Sequence, residues 1–336
     1  MNVAIFSNSP GEVFSWVRPI CVGLASKDPA IKIFVYLTPC QYATGHEKDV
    51  VQTFPNVCQV FSPTESIKQV VSPTMIPNVV VFLGGDPMYA KRLAKRCKVR
   101  CIGYGEHPFS GFDAYFRKSQ YSDLMVSHLQ PANQNQRDGI VILPGSRPEH
   151  LAVALPLMLK IVADQSPVTV MMSPFTAPDL MAHYRKQFPA ITFCHMTDPN
   201  DLARFHCALT IPGTNTMQLA SLQIPFLMIL PTHDARILRL DGVMGLLLLI
   251  PGLGFILKRL ILSVAVSPKR LYALPNQFFK RHVCPELVGR FSVDEARNAL
   301  AQLQLTEHYN TIATELSKLS VIKSPLDAML DAIVND

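Results

Sequence analysis

Gly139-Ile140-Val141-Ile142-Leu143-Pro144-Gly145-Ser146-Arg147 is an apolar run that ends in a glycine turn and passes into a helical pattern from 148 to about 164. A short run with no polar alternation is the pattern of a strand buried on both faces, as in a parallel sheet covered by helices. The same rhythm continues downstream. Strands are expected at 168–173, 191–194, 207–211 and 226–230, helices at 178–188 and 216–222, and a short segment at 202–205. A second strand-to-helix turn, Pro212-Gly213-Thr214-Asn215, falls between the 207–211 strand and the next helix. Strand, turn, helix, strand at this spacing predicts an α/β unit with crossover helices.

Upstream of Gly139 the composition turns polar over 130–138 (QPANQNQRD), which reads as a linker. Before it the rhythm occurs a first time: apolar run 2–6, turn Ser7 to Glu12, helical pattern 13–26 and a β-rich run 31–37. A strand at 79–83 then ends in Gly84-Gly85-Asp86, and a basic helix over 89–97 leads to a strand at 100–104. Ligands of such sheets sit at the carboxyl ends of the strands, where these turns fall. The expected organisation is a Rossmann-like domain over 1–135, a second over 139–305 with an apolar insertion at 240–268, and a helical segment over 306–336. Two such domains would face each other across a cleft. Near the end, 293–333 reads as two amphipathic helices, the first opened by a capping box of Ser292 and Glu295.

The chain has 336 residues, enough for two ordinary domains, and is 49% hydrophobic with only 17% charged residues. That is apolar for a soluble enzyme, so either the cores are large or some surface meets lipid. The net charge of +6 favours anionic partners such as sugar nucleotides or anionic lipids. No aromatic–basic recognition motif accompanies it, so nucleic acid is not expected as a partner. The eight cysteines are scattered, and the one close pair, Cys97 and Cys101, lacks a second pair to complete a zinc site. They read as reduced thiols of a cytosolic protein. The start, MNVAIFSNSPGE, has neither the basic region nor the cleavage site of a signal peptide, and is expected to be a strand and turn.

Residues 242–257 contain sixteen residues without a charge, followed by Lys258-Arg259 and nine further uncharged residues to Pro268. A spanning helix needs about 20 apolar residues, and two central charges would each cost roughly 2.5–3.5 kcal/mol on insertion. Pro251, Gly252 and Gly254 interrupt the first half. A buried core helix, a single span and a helical hairpin lying in one leaflet are the three readings. The hairpin is preferred because Arg236, Arg239, Lys258, Arg259, Lys269 and Arg270 flank the apolar parts, where each would gain about 1 kcal/mol from anionic headgroups. An anionic membrane surface is therefore an expected partner, and peripheral or monotopic attachment to the cytoplasmic side of the inner membrane the expected location.

Three turns carry candidate chemistry. In Gly145-Ser146-Arg147, glycine admits a ligand close to the backbone, the helix start offers N–H groups to phosphate, and arginine clamps a diphosphate. The plain alternative is an ordinary turn with a solvated arginine. Gly213, Thr214, Asn215 and Gln218 would suit pyrophosphate and ribose; the alternative is a helix start capped by Thr214 or Asn215. Leu274-Pro275-Asn276 by itself is a turn.

In this order the three resemble the lipid-A-disaccharide synthase family, inverting glycosyltransferases of the GT-B fold. That family carries an LPGSR turn, an SGT-x-x-LE segment, and LPN before a basic helix containing Glu-Leu. The counterparts are Leu143 to Arg147, Gly213 to Leu219, and Leu274 to Asn276 with Lys280-Arg281 and Pro285-Glu286-Leu287. Ser9-Pro10-Gly11-Glu12 resembles the family's GE-x-SGD turn at Gly11 and Glu12, and Gly84-Gly85-Asp86 sits where the family has an aspartate-bearing loop. The resemblance implies a UDP-sugar donor, a lipid or acyl-sugar acceptor, and no metal or other cofactor. It implies that Ser146 and Arg147 hold the diphosphate, that Gly213, Thr214, Asn215 and Gln218 hold nucleotide, and that Asn276 shapes the donor site. It implies Asp86 as leading general base, with Glu12 as runner-up and Gly11 beside it. Two positions depart: Gln218 replaces a family glutamate, and the tryptophan-rich acceptor loop is replaced by 104–109, where Glu106 and His107 form an acid/base-capable pair. For Asp86 the alternative is a turn aspartate, for Glu12 a first-turn glutamate, and for Glu106 with His107 a surface pair. A UDP-sugar epimerase of the same fold and a non-catalytic nucleotide-sugar-binding protein are the rival functions.

Overall fold

The computed structural model describes residues 1–119, 122–231 and 270–335, with 148–150 described by backbone alone. The apolar insertion expected at 240–268 lies outside the described residues. Among the described residues no helix is long and apolar enough to cross a membrane.

The chain forms two compact units, one of Met1–His128 with Val321–Asp336, the other of Leu129–Ser320. The first holds strands β1 (Asn2–Ser7), β2 (Lys32–Leu37), β3 (Val57–Phe61), β4 (Val79–Phe82), β5 (Arg100–Gly105) and β6 (Ala114–Arg117), in the order β3-β2-β1-β4-β5-β6. The second holds β7 (Ile140–Leu143), β8 (Val168–Met172), β9 (Thr192–His195), β10 (Cys207–Thr210), β11 (Phe226–Pro231) and β12 (Glu286–Gly289), in the order β12-β11-β10-β7-β8-β9. Every pairing between these strands is parallel. Numbered from its own first strand, each sheet has the order 3-2-1-4-5-6 of doubly wound nucleotide-binding folds. The central strands β4, β7, β10 and β11 are buried along their whole length. That explains their unbroken apolar sequences.

The strands and helices read from the runs stand within about two residues in most cases, within the ordinary uncertainty of element ends. The capping box at Ser292 forms, with Ser292 N–H donating to Glu295 at 2.6 Å and Glu295 N–H to Ser292 Oγ at 3.1 Å.

Two boundaries differ from expectation. The polar stretch 130–138 is part of the second unit: Arg137 is buried, and its guanidinium donates to the carbonyls of Leu222 at 2.7 Å and Gln223 at 2.6 Å and to the Tyr309 hydroxyl at 3.1 Å. The terminal helical segment is also divided. Helix Thr306–Ser317 stays with the second unit, whereas Leu326–Val334 belongs to the first. There Leu326, Met329, Leu330 and Ile333 are buried, and Leu330 Cδ1 sits 2.5 Å from where a Cβ on Gly23 would be. Lys27 pairs with Asp331 at 2.6 Å on the same contact. The absent side chain at Gly23 lets the last helix close onto Arg18–Lys27. Pro285-Glu286-Leu287, matched above to a helical motif, instead leads into the edge strand β12 beside β11.

Candidate functional site

In the second unit the strand order reverses between β7 and β10, which are neighbours, and a ligand crevice is expected at their carboxyl ends. Pro144 to Arg147 leaves β7 there and Pro212 to Asn215 leaves β10, so the sheet brings the two phosphate-binding candidates together. Gly145 (φ 94°) and Gly213 (φ 150°) have backbone conformations that side chains disfavour. Arg147 is half-buried and occupies the position preceding helix Pro148–Ile161.

The helix after β10 begins at Thr214 with Gly213 as its cap residue, and no side chain caps it. Thr214 and Asn215 therefore do not play the capping role open to them in sequence. Gln218 is 2% exposed. Thr216, passed over in the sequence, ties the second and third motifs together: its Oγ1 donates to Gly213 O at 2.8 Å and accepts from Leu274 N–H at 3.1 Å. Leu274–Phe279 is a short helix rather than a turn. Asn276 within it is fully buried, with Nδ2 donating to Cys284 O (2.8 Å) and Glu286 Oε1 (2.7 Å) and Oδ1 accepting from Val283 N–H (2.8 Å) and Cys284 N–H (3.0 Å). Its amide is spent on protein, so it shapes the site only by holding β12 and the Leu274 helix together. Glu286 completes that staple by accepting from Ala273 N–H at 2.9 Å.

In the first unit the reversal lies between β1 and β4. Ser9-Pro10-Gly11-Glu12 follows β1, and Gly84-Gly85-Asp86 follows β4. Glu12 closes a capping box with Ser9 (Ser9 N–H to Oε2 and Glu12 N–H to Ser9 Oγ, both 3.3 Å). Its carboxylate lies directly over Gly84, where a Cβ would overlap Oε2. Gly84 has φ 132° and Gly85 φ 82°, and a Cβ on Gly85 would stand 2.5 Å from Thr38 Oγ1. Burial pushes the Glu12 carboxyl above its ordinary value, against the opposing hydrogen bonds from Ser9 and Asn8, and Glu106 adds a smaller push in the same direction. The sequence repeats this motif at Ser62-Pro63-Thr64-Glu65, also a capping box, with Ser62 N–H to Glu65 Oε2 at 2.7 Å. There the exposed carboxyl is held below its ordinary value by the Ser62 hydrogen bonds. One local motif thus gives opposite acidities, and the difference is the crevice around Glu12. Gly11 is exposed, with open space around its α-carbon.

Asp86 is exposed and caps helix Pro87–Cys97, its Oδ1 accepting from Met88 N–H at 2.8 Å. Glu106 pairs not with His107 but with Lys118 at 2.6 Å, while the His107 carbonyl accepts from the Tyr115 hydroxyl at 2.7 Å. Nothing in the local sequence marks the network beyond this pair. Lys118 Nζ also lies 3.7 Å from buried Asp123, which accepts from the Tyr104 hydroxyl at 3.1 Å. Burial raises the pKa of Asp123 despite Lys118, and the Trp16 ring packs edge-on against Tyr104. These groups gather only when β5, β6 and the first helix are assembled.

Two parallel six-stranded units of this topology make up the GT-B fold, and comparison with solved structures agrees. The S. aureus MnaA–UDP structure superposes with a TM-score of 0.52 at 11% identity, covering 99% of this chain and 95% of that one. The calicheamicin glycosyltransferase CalG4 gives 0.52 at 10% identity, covering 99% of each chain. A putative UDP-N-acetylglucosamine 2-epimerase from Listeria monocytogenes gives 0.50 at 10% identity, covering 93% and 90%. At such identities the likeness is one of fold. No protein-family model matches the sequence, and no curated protein matches it.

Proposed function

We propose that this chain is an inverting glycosyltransferase moving a sugar from a UDP-sugar to a membrane lipid-linked acceptor, in the manner of lipid-A-disaccharide synthases. The observation that carries the reading is the Glu12 carboxylate, walled by Gly84 at the switch point of the first sheet and made more basic by burial. A base of raised pKa is what deprotonation of an acceptor hydroxyl requires near neutral pH. Glu12 therefore takes the base role ahead of Asp86, whose carboxylate serves its helix. The turns at Ser146-Arg147 and Gly213 to Asn215, adjacent at the second switch point, would receive the UDP, with helix N-termini and Arg147 stabilising the departing diphosphate. Each turnover would form one glycosidic bond at the anomeric carbon, break its bond to UDP, and leave the acceptor proton on Glu12.

A UDP-sugar epimerase is the second reading, favoured by the fold shared with the Listeria protein. Incubating the full chain with radiolabelled UDP-sugars, with and without a lipid extract, separates the two. Label entering the lipid phase with release of UDP supports transfer. Appearance of an epimeric sugar nucleotide without lipid supports epimerisation, and UDP binding with neither product marks a non-catalytic protein.

A further inference from the structure

We infer that the outer face of helix Pro87–Cys97, together with the Phe109 loop, is a docking surface for an anionic lipid bilayer. The inference rests on the reading that the acceptor is lipid-borne, and it assigns the face that meets the lipid. Between Pro87 and Gly105 the chain carries six cations (Lys91, Arg92, Lys95, Arg96, Lys98 and Arg100) and no carboxylate. The helix turns Ala90, Leu93 and Ala94 into the core. Its opposite stripe is Met88, Arg92, Lys95 and Arg96, spaced to share one face, and all four are exposed.

A basic helix face alone is ordinarily a solvated surface. Here apolar side chains adjoin the cations. Met88 is 39% exposed and Phe109 37%. Lys91 links them, one helical turn from Met88 and with its Nζ 6.0 Å from the Phe109 ring centroid and 4.8 Å from that of Phe112. Cations around protruding apolar groups are the pattern of an interfacial membrane contact. Duplex phosphates would use the cations alone, without the exposed Met88. The helix starts after Asp86 and Phe109 follows β5, so Met88 and Phe109 lie at the carboxyl edge that carries Glu12, while Lys95 and Arg96, in the last turn, lie toward the amino edge. A bilayer lying along the helix would meet the edge where the acceptor hydroxyl must be deprotonated at its Met88 and Phe109 end.

The test is sedimentation of the full chain with phosphatidylcholine vesicles with and without phosphatidylglycerol, at two salt concentrations. The expected result is salt-sensitive partitioning that phosphatidylglycerol strengthens. Arg92→Glu/Lys95→Glu/Arg96→Glu should lower that strengthening on the order of 100-fold, at roughly fivefold per cation, with UDP binding kept as the control for folding. Met88→Ser/Phe109→Ser should weaken the binding that survives at high salt. An unchanged phosphatidylglycerol effect in the triple variant overturns this face while leaving a lipid acceptor standing. Failure of the parent chain to sediment with either vesicle, or its binding of an RNA oligonucleotide in their place, overturns membrane docking itself. Should the triple variant lose UDP binding, the Met88/Phe109 variant decides in the same assay.

Discussion

Glu12 and Gly84 are matched across the first sheet's switch point: the carboxylate occupies the volume that any side chain at position 84 would need. The two residues come from turns after different strands, β1 and β4, so their fit depends on the register Phe6↔Phe82 that precedes them. Gly84→Ala should therefore both strain the backbone at φ 132° and expel the carboxylate. A loss of about 1–3 kcal/mol in urea unfolding is expected, with turnover falling well beyond what the remaining folded fraction explains. Near-parental turnover in the folded variant would remove Glu12 from the chemistry.

Direct replacement separates the two carboxylates. Glu12→Gln should reduce turnover about 10²–10⁴-fold while UDP affinity stays within a few-fold. Asp86→Asn should leave both nearly unchanged, since asparagine caps a helix as well as aspartate does, and Asp86→Ala should cost about 1 kcal/mol of stability. Steady-state kinetics with titration calorimetry of UDP reads both. The reverse pattern would return the base role to Asp86.

The acidity of Glu12 has a stability signature of definite sign. Its pKa in the folded chain is above the unfolded value, so its contribution is fully present below the unfolded pKa and is lost as pH rises through the folded one. Glu12→Gln should accordingly raise Tm at pH 7 and change it little at pH 4. Glu65, whose pKa is lowered, contributes above its unfolded pKa and loses that contribution as pH falls through the folded one, so Glu65→Gln should lower Tm at pH 7. Thermal melts of both variants at the two pH values check the pair, and a Glu12→Gln variant less stable at pH 7 contradicts the burial argument.

What was legible in the sequence follows from the length scale of the signal. Apolar runs such as Ile140–Leu143 and Val79–Phe82 announce buried strands locally, and glycine turns after them announce strand ends. The turns at the carboxyl ends of the strands were therefore readable, whereas the strand order that sets β1 beside β4 and β7 beside β10 was not. The edge strand β12 was not, because Glu286–Gly289 is only partly buried along its length. Nor was the return of the Leu326–Val334 helix to the first unit, since Gly23 and Leu330 are 307 residues apart in sequence. Glu12 and Glu65 share one local motif, and only the assembled crevice tells them apart. For the same reason Asp123, Tyr104 and Lys118 could not be found from spacing.

Asn276 and Arg147 divide structural from chemical support in the second unit. Asn276→Ala would strip partners from the Val283 and Cys284 amides and from Glu286, with an expected cost of about 3 kcal/mol and a matching fall in the folded fraction. Arg147→Ala removes a half-buried cation from a helix start and leaves the sheet intact. Its expected effect is a drop in kcat of about 10²–10³-fold, with Tm changed by no more than a few degrees. Circular dichroism melts beside single-turnover assays distinguish the two. An Arg147→Ala protein that keeps full turnover with every UDP-sugar tried would take the diphosphate away from this turn, and with it the donor half of the proposed reaction.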